Sequence, residues 1–235
     1  LGSLCFDFPI PEGLETSFCG LTFPSPLILS SFKDDEDIIN IWLKMGLGGA
    51  ILKTIMVEPR DGNARPRIQQ VEVNGQPAIL NAMGLPGKGV FALVQSLEDD
   101  SLWKNKKPIG FSIGGGQVRE YEEAFGVLNE FLEEKRSGYP YFFEINISCP
   151  NTDHGKALSQ DPQAVKQLAW KLRQRTEVPI GIKLSPDQPN DSLQEFARLL
   201  SGIPNIFLTL GNTQFRRCEE VGLPANALSR GGGGL

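Results

Sequence analysis

The sequence predicts an α/β fold of parallel strands with covering helices, and it favours a closed (β/α)8 TIM barrel over an open doubly wound sheet. From residue 21 onward, short apolar runs alternate strictly with longer amphipathic runs, and about six β/α units can be traced in the 235 residues. Lysines and asparagines also fall at or just past the C-terminal ends of several strands. In a barrel those ends converge on one mouth, whereas an open sheet spreads them along a line. The count remains a difficulty, because a closed barrel needs eight units.

Each predicted strand is a short run rich in Ile, Leu and Phe, and each predicted helix has apolar residues at helical spacing. The strands are residues 26–30, 49–53, 108–113, 141–147, 179–184 and 205–210. The helices are residues 36–45, 89–97, 119–134, 162–175 and 192–200. An insertion at 71–83 contains a Val-Asn-Gly-Gln turn, which is typical of a β-hairpin. We predict an N-terminal extension over residues 1–20 and one barrel domain over 21–235 that stops before units seven and eight.

Composition narrows the class of protein. The formal net charge is −5 without a basic block, so a nucleic-acid partner is not expected. An apolar run long enough to span a bilayer and a signal-peptide pattern are both absent. The four cysteines are far apart and lack metal-ligand spacing, so we expect reduced thiols, a cytoplasmic protein and no metal site.

The stretch Phe-Glu-Ile-Asn-Ile-Ser-Cys-Pro-Asn at 143–151 carries the strongest functional signal. Alternation along a strand places Glu144, Asn146 and Ser148 on one face. Cys149 follows at once in a loop, where a rigid scaffold can hold a reactive group. The alternative is that Cys149 packs in the core as a small apolar side chain.

Two lysines lie in apolar strands, Lys53 and Lys183, and a lysine is rarely buried without an anionic or electron-rich partner. Together they indicate a ligand that carries or develops negative charge, although each could instead extend its ammonium group to solvent. Asparagines occupy strand ends or adjoining loops at positions 81, 146, 151 and 212. Their amides suit a ligand edged with alternating N–H and C=O groups, such as a pyrimidine ring, although asparagine also favours turns.

Glycine patterns give a mixed signal. A Gly-x-Gly-x-x-Gly turn after a strand is absent, so a nicotinamide dinucleotide domain is not indicated. Residues 231–234 are four consecutive glycines, whose backbone N–H groups could line a phosphate. The same run could equally be a flexible tail.

From Leu21 to Leu235 the chain resembles the dihydroorotate dehydrogenase family of FMN-dependent (β/α)8 barrels. The resemblance rests on these motifs: Leu52-Lys53-Thr54, Arg60-Asp61-Gly62-Asn63 with Pro66-Arg67, Asn81-Ala82-Met83-Gly84-Leu85-Pro86, Asn146-Ile147-Ser148-Cys149-Pro150-Asn151, Lys183-Leu184-Ser185-Pro186 and the terminal glycines. The cysteine is similar to that of the soluble, cysteine-using members. Other positions are similar to the serine-using branch, among them Gly62-Asn63 and Asn212-Thr213. The electron acceptor therefore stays open.

The resemblance implies FMN as cofactor and dihydroorotate as substrate. Cys149 would remove a proton from C5 of the substrate while a hydride leaves C6 for the flavin. Lys183 would face the flavin edge where negative charge grows on reduction. Substrate binding is implied for Lys53, Asn81, Met83, Gly84, Leu85, Asn146, Asn151, Asn212 and Thr213. Cofactor binding is implied for Ser30, Ser31, Lys53, Thr54, Asn146, Lys183 and Gly211.

The expected function is thus oxidation of (S)-dihydroorotate to orotate in de novo pyrimidine biosynthesis, and the resemblance allows a homodimer. One alternative is an FMN-dependent reductase of another dihydropyrimidine or cyclic imide. A second alternative is a non-catalytic, flavin-free barrel that serves in binding. Substrate turnover would separate the two enzymes, and the yellow colour of bound flavin would separate both from the third.

Overall fold

The computed structural model describes residues 6–99, 101–147 and 158–235. Its strands are β1 Thr16–Phe18, β2 Leu21–Phe23, β3 Ile28–Leu29, β4 Gly49–Ile55, β5 Ile68–Val73, β6 Gln76–Asn81, β7 Ile109–Ile113, β8 Tyr141–Asn146, β9 Ile180–Leu184, β10 Ile206–Leu210, β11 Phe215–Arg217 and β12 Gly232–Gly234. Its α-helices are α1 Glu36–Lys44, α2 Val90–Ser96, α3 Val118–Arg136, α4 Pro162–Arg173 and α5 Asn190–Leu200. Within these ranges, no helix is both long and apolar enough to cross a membrane.

The main sheet consists of six strands in the order β10-β9-β8-β7-β4-β3, and every pair in it is parallel. The predicted six parallel strands are therefore confirmed. Four strands differ from their predicted bounds by one residue, and two differ by more: β3 is only two residues long, and β4 continues past Lys53 to Ile55. The strands β7, β8 and β9 are buried along their whole length, as expected for strands covered on both faces.

The main sheet curls strongly. Ser31 follows β3 at one edge, and Lys183 lies in β9 near the other edge, yet Lys183 Nζ donates to Ser31 Oγ at 3.2 Å. Strands four places apart in a flat sheet would be separated by roughly 19 Å. The six strands therefore form the greater part of a barrel wall, as the sequence predicted.

The helices cover the outer face of this wall. Asp35 and Asp161 cap α1 and α4, since their carboxylates accept from the backbone N–H groups of Ile38 (3.1 Å) and Ala164 (2.9 Å). Inside the layer, the rings of Phe125 in α3 and Phe143 in β8 have centroids 4.6 Å apart. The main hydrophobic core thus lies between the sheet and its helices.

Aromatic rings fill the inside of the wall at the N-terminal ends of the strands. A side chain at Gly110 would lie 2.5 Å from Phe142, and one at Gly181 would lie 2.6 Å from Phe207. The β1–β2 hairpin closes this end, with Phe18 packed edge-on against Phe207 at 5.2 Å. A mainly apolar cavity of about 200 Å³ remains beneath the hairpin. This hairpin crosses the domain boundary predicted at residue 20.

A second, antiparallel sheet has the order β11-β12-β6-β5. The predicted hairpin is present as β5 and β6, which turn at Asn74 and Gly75, both with positive φ. Three of the four terminal glycines, residues 232–234, form β12, a buried strand between β11 and β6. These three glycines are therefore part of a sheet and are not a flexible tail. Glycine is needed in this strand for a steric reason, because a Cβ at Gly232 would lie 2.5 Å from the Arg216 carbonyl oxygen.

Gly233→Ala is expected to destabilise the second sheet. A Cβ at this position would overlap the backbone carbonyl of Asn81, so β12 or β6 must move. Overpacking of this kind costs roughly 1–3 kcal/mol. We expect a lower midpoint of thermal unfolding and faster hydrogen exchange in β6. Gly138→Ala is the matched control, since a Cβ there meets nothing within 4 Å; an equal loss in both variants would contradict the argument.

Candidate active site

Three strands place polar side chains in one hydrogen-bonded row at the C-terminal end of the main sheet. Asn146 Nδ2 of β8 donates to Thr54 Oγ1 of β4 at 2.8 Å, and Thr54 Oγ1 lies 3.1 Å from Ser112 Oγ of β7. All three side chains are buried. Tyr121 OH of α3 donates to the Asn146 carbonyl at 3.0 Å and fixes the end of β8. The structure thus brings together Thr54 and Asn146, two of the residues that the resemblance implied.

An irregularity in β4 places Thr54 in this row. Leu52 pairs with Phe111 and Ile55 pairs with Ile113, so β4 contains one more residue than β7 between these pairs. A β-bulge of this kind redirects the side chains that follow it. Thr54 therefore reaches Ser112 on the inner face, and Lys53 and Thr54 lie side by side at the mouth.

Lys183 lies beside this row, on the next strand. It pairs in register with Asn146 and is 7% exposed. Its Nζ donates to Ser31 Oγ and lies 3.6 Å from Glu144 Oε1. A buried ammonium with one hydroxyl acceptor and one carboxylate is well placed to stabilise negative charge that develops at the mouth.

A small cleft of about 10 Å³ continues from the row toward the loop after β6. It is lined by Lys53, Thr54 and Leu85, together with Asp34 and Glu58. The backbone N–H of Lys53 donates to the Lys33 carbonyl at 2.8 Å, which fixes the strand that carries the side chain. Lys53 thus lines one cleft together with Thr54 of the row and Leu85 of the loop.

A second group of predicted residues meets at the end of β12. Asn81 Nδ2 donates to the Gly234 carbonyl at 3.1 Å, and a Cβ at Gly234 would overlap Thr213 Oγ1. Asn212 Oδ1 accepts from the Thr213 backbone N–H at 2.9 Å. The Asn212 backbone N–H donates to the Leu184 carbonyl at 3.1 Å, next to Lys183. The glycine strand therefore brings Asn81, Asn212 and Thr213 together.

The loop with Met83, Gly84 and Leu85 is braced by residues that precede β5. Asn63 Nδ2 donates to the Ala82 carbonyl at 3.0 Å, and the Asn63 N–H donates to the Met83 carbonyl at 3.1 Å. Gly84 has φ +73°, and a Cβ there would lie 2.5 Å from the Asn63 nitrogen. Glycine is needed at this position because of its conformation and its contact with Asn63.

The remaining predicted residues fall in three places. Ser30 is exposed and lines the cavity beneath the β1–β2 hairpin. Gly211 follows β10, where a Cβ would lie 3.2 Å from the Leu184 carbonyl oxygen. Cys149 and Asn151 lie outside the described residues, directly beyond the strand that carries Asn146.

Three residues of this region were not predicted as site residues: Ser112, Tyr121 and Glu144. Ser112 shares the inner face of β7 with Gly110, so strand alternation could have identified it. Glu144 was placed on the face of Asn146 but was given no role. Tyr121 lies on a helix and carries no sequence signal that distinguishes it from a core aromatic residue.

The comparisons with known proteins agree with one another. A family profile described as dihydroorotate dehydrogenase matches residues 13–235. The catalytic subunit of dihydroorotate dehydrogenase B (NAD(+)) from Pyrococcus furiosus is 33% identical over 177 residues, covering 74% of this chain and 54% of that protein. The dihydroorotate dehydrogenase (quinone) of Chromobacterium violaceum is 31% identical over 224 residues, covering 90% of this chain and 62% of that protein.

Solved structures show the same fold. A ligand-free DHODH from Eimeria tenella superposes with a TM-score of 0.77 at 22% identity, covering 99% of this chain and 70% of that one. The matched part of this chain spans less than two thirds of the length of either curated relative, 54% and 62%.

Proposed function

Since this chain belongs to the dihydroorotate dehydrogenase family, we propose that the protein oxidises dihydroorotate to orotate in pyrimidine biosynthesis. One observation carries the proposal most directly: the buried Lys183 ammonium lies beside the Asn146–Thr54 pair at the C-terminal ends of parallel strands. Barrel enzymes hold their reactive groups at the C-terminal ends of their parallel strands. The cation provides a counter-charge and the amide provides directional hydrogen bonds.

The same donor set fits FMN. Lys183, Ser31 and Thr54 would hold the flavin, because an ammonium and hydroxyl groups match a ring edge rich in carbonyl oxygens and nitrogens. Lys53 would border both ligands from the cleft that it shares with Thr54 and Leu85. Bound FMN would supply the acceptor for the hydride that leaves C6 of the substrate. Asn146 and Gly211 complete the proposed cofactor contacts. Ser30 is left out of this set, because it lines the cavity beneath the β1–β2 hairpin.

The substrate would lie between the two groups of polar residues. Asn81, Asn212 and Thr213 gather around β12, and Asn146 projects from the main sheet. Amides can donate to the substrate's carbonyl groups and accept from its ring N–H groups, so they fix the orientation of the ring. Asn151 and the backbone of 83–85 are proposed to complete this set.

Cys149 is proposed as the general base. It follows the strand that ends at Asn146, so it lies within a few residues of a proposed substrate contact. Its thiolate would accept the proton from C5 as the bond from C6 to hydrogen breaks, and the C5–C6 double bond of orotate forms. The proton ends on sulfur and the hydride ends on the cofactor, which accounts for both hydrogens that the substrate loses.

Anaerobic mixing of the intact, FMN-loaded protein with dihydroorotate tests the proposal. We expect the yellow absorbance to bleach and orotate to appear in equal amount. A protein that binds FMN but is bleached only by another dihydropyrimidine would be a different reductase. A protein that binds no flavin would contradict the proposed function altogether.

A further inference from the structure

Glu144 is the most unusual polar residue inside the barrel wall. Its side chain is 0% exposed and projects from the inner face of β8, two residues before Asn146. Among the described residues, no group donates a hydrogen bond to either carboxylate oxygen. Carboxylates are almost never buried so completely without a partner, because the loss of hydration is costly.

Its neighbours identify one partner. In the sheet, Glu144 pairs in register with Ser112 of β7 and Gly181 of β9. The Phe207 ring occupies the space that a side chain at Gly181 would need, and the next inward residue of β9 is Lys183. Lys183 Nζ lies 3.6 Å from Glu144 Oε1, and Lys183 is itself 7% exposed.

We propose that Glu144 is a positioning residue for Lys183 that sets the reduction potential of the bound flavin. The ammonium lies 3.6 Å from the carboxylate and donates to Ser31 Oγ at 3.2 Å, so these two groups fix its position. The carboxylate also offsets part of the positive charge that the flavin would experience. The inference deepens the function proposed above and rests on it.

Two consequences separate this role from a passive ion pair. Removal of the Glu144 charge should leave Lys183 buried and uncompensated, which destabilises the flavin-free protein. In the loaded protein, the same change should favour the reduced flavin, because the ammonium is no longer offset. A residue that only fills space would lower stability without moving the potential.

The first experiment needs no flavin. Glu144→Gln, Lys183→Met and the double variant are compared with the parent by thermal unfolding. Glu144→Gln is expected to lower the midpoint by on the order of 10 °C, and the double variant should lose less than the sum of the two single variants. Strictly additive losses would show that the two side chains are not coupled.

The second experiment measures the flavin midpoint potential of the intact, FMN-loaded variants. Glu144→Gln should raise the equilibrium ratio of reduced to oxidised flavin about tenfold at fixed potential, a shift of about 30 mV for a two-electron couple. In a Lys183→Met background the same change should have little effect, because the proposed action of Glu144 on the flavin passes through the Lys183 ammonium. Glu122→Gln is the control, since Glu122 pairs with Lys171 on the protein surface.

An unchanged potential in Glu144→Gln, or an equal shift with and without Lys183, would overturn the role assigned to Glu144. These results are distinct from failure of the proposed function, which would appear in the parent as absence of FMN binding or of bleaching by dihydroorotate. If the parent protein fails in this way, the proposed effect of Glu144 on the flavin potential is contradicted as well. The unfolding data still decide whether Glu144 and Lys183 are paired.

Discussion

Cys149→Ala is expected to abolish reduction of the flavin by dihydroorotate while FMN remains bound. Alanine cannot accept the proton from C5, and a positioned base typically contributes about 10²–10⁴-fold to the rate. Cys149→Ser should retain part of the activity with its optimum at higher pH, because a hydroxyl ionises far less readily than a thiol. Rapid anaerobic mixing, followed at the flavin absorbance across a range of pH, measures both effects.

Cys19→Ala is the matched control for this experiment. Cys19 lines the cavity at the opposite, N-terminal end of the strands, and burial raises the pKa of its thiol. Its loss should leave the bleaching rate unchanged. If Cys149→Ala is bleached as fast as the parent protein, Cys149 is a packed core thiol and the proposed proton transfer does not occur.

Lys183→Ala is expected to slow flavin reduction by roughly 10²-fold or more, the cost typical of losing one preorganised electrostatic group. It should also lower the flavin midpoint potential and weaken FMN binding, because the variant leaves Glu144 without its cation and Ser31 without its donor. Stopped-flow absorbance, redox titration and equilibrium FMN binding report the three effects separately.

Lys107→Ala controls for removal of a half-buried lysine in general. Lys107 Nζ donates to the Leu43 carbonyl at 2.6 Å, before β7 begins and away from the mouth. This variant should retain the parent potential. An unaltered potential and reduction rate in Lys183→Ala itself would mean that the residue is purely structural.

The main sheet could be predicted from the sequence because its strands carry their own signal. Runs such as Ile109–Ile113 and Ile180–Leu184 are short, apolar and buried on both faces, so they differ clearly from the amphipathic helices beside them. The polar residues Asn146 and Lys183 interrupt these runs at adjacent, paired positions. Because the strands are parallel, the sequence alone was enough to predict that Asn146 and Lys183 lie close together.

Other features depend on tertiary contacts and have no local signal. The extra residue in β4, which brings Thr54 to Ser112, leaves no mark in the sequence Leu-Lys-Thr-Ile. Glycine has low strand propensity, so β12 could be identified only through its contacts with β6 and β11. The Glu144–Lys183 pair likewise needed the register of β8 and β9.

The all-glycine strand has a consequence for mutational tolerance. At 232–234, any larger residue would collide with neighbouring backbone or with the Thr213 side chain, although these glycines have no side-chain group that could react. A scan of every single substitution should therefore find three consecutive intolerant positions there. Their sensitivity would report the close approach of Asn81 and Thr213 and would not identify a reacting residue.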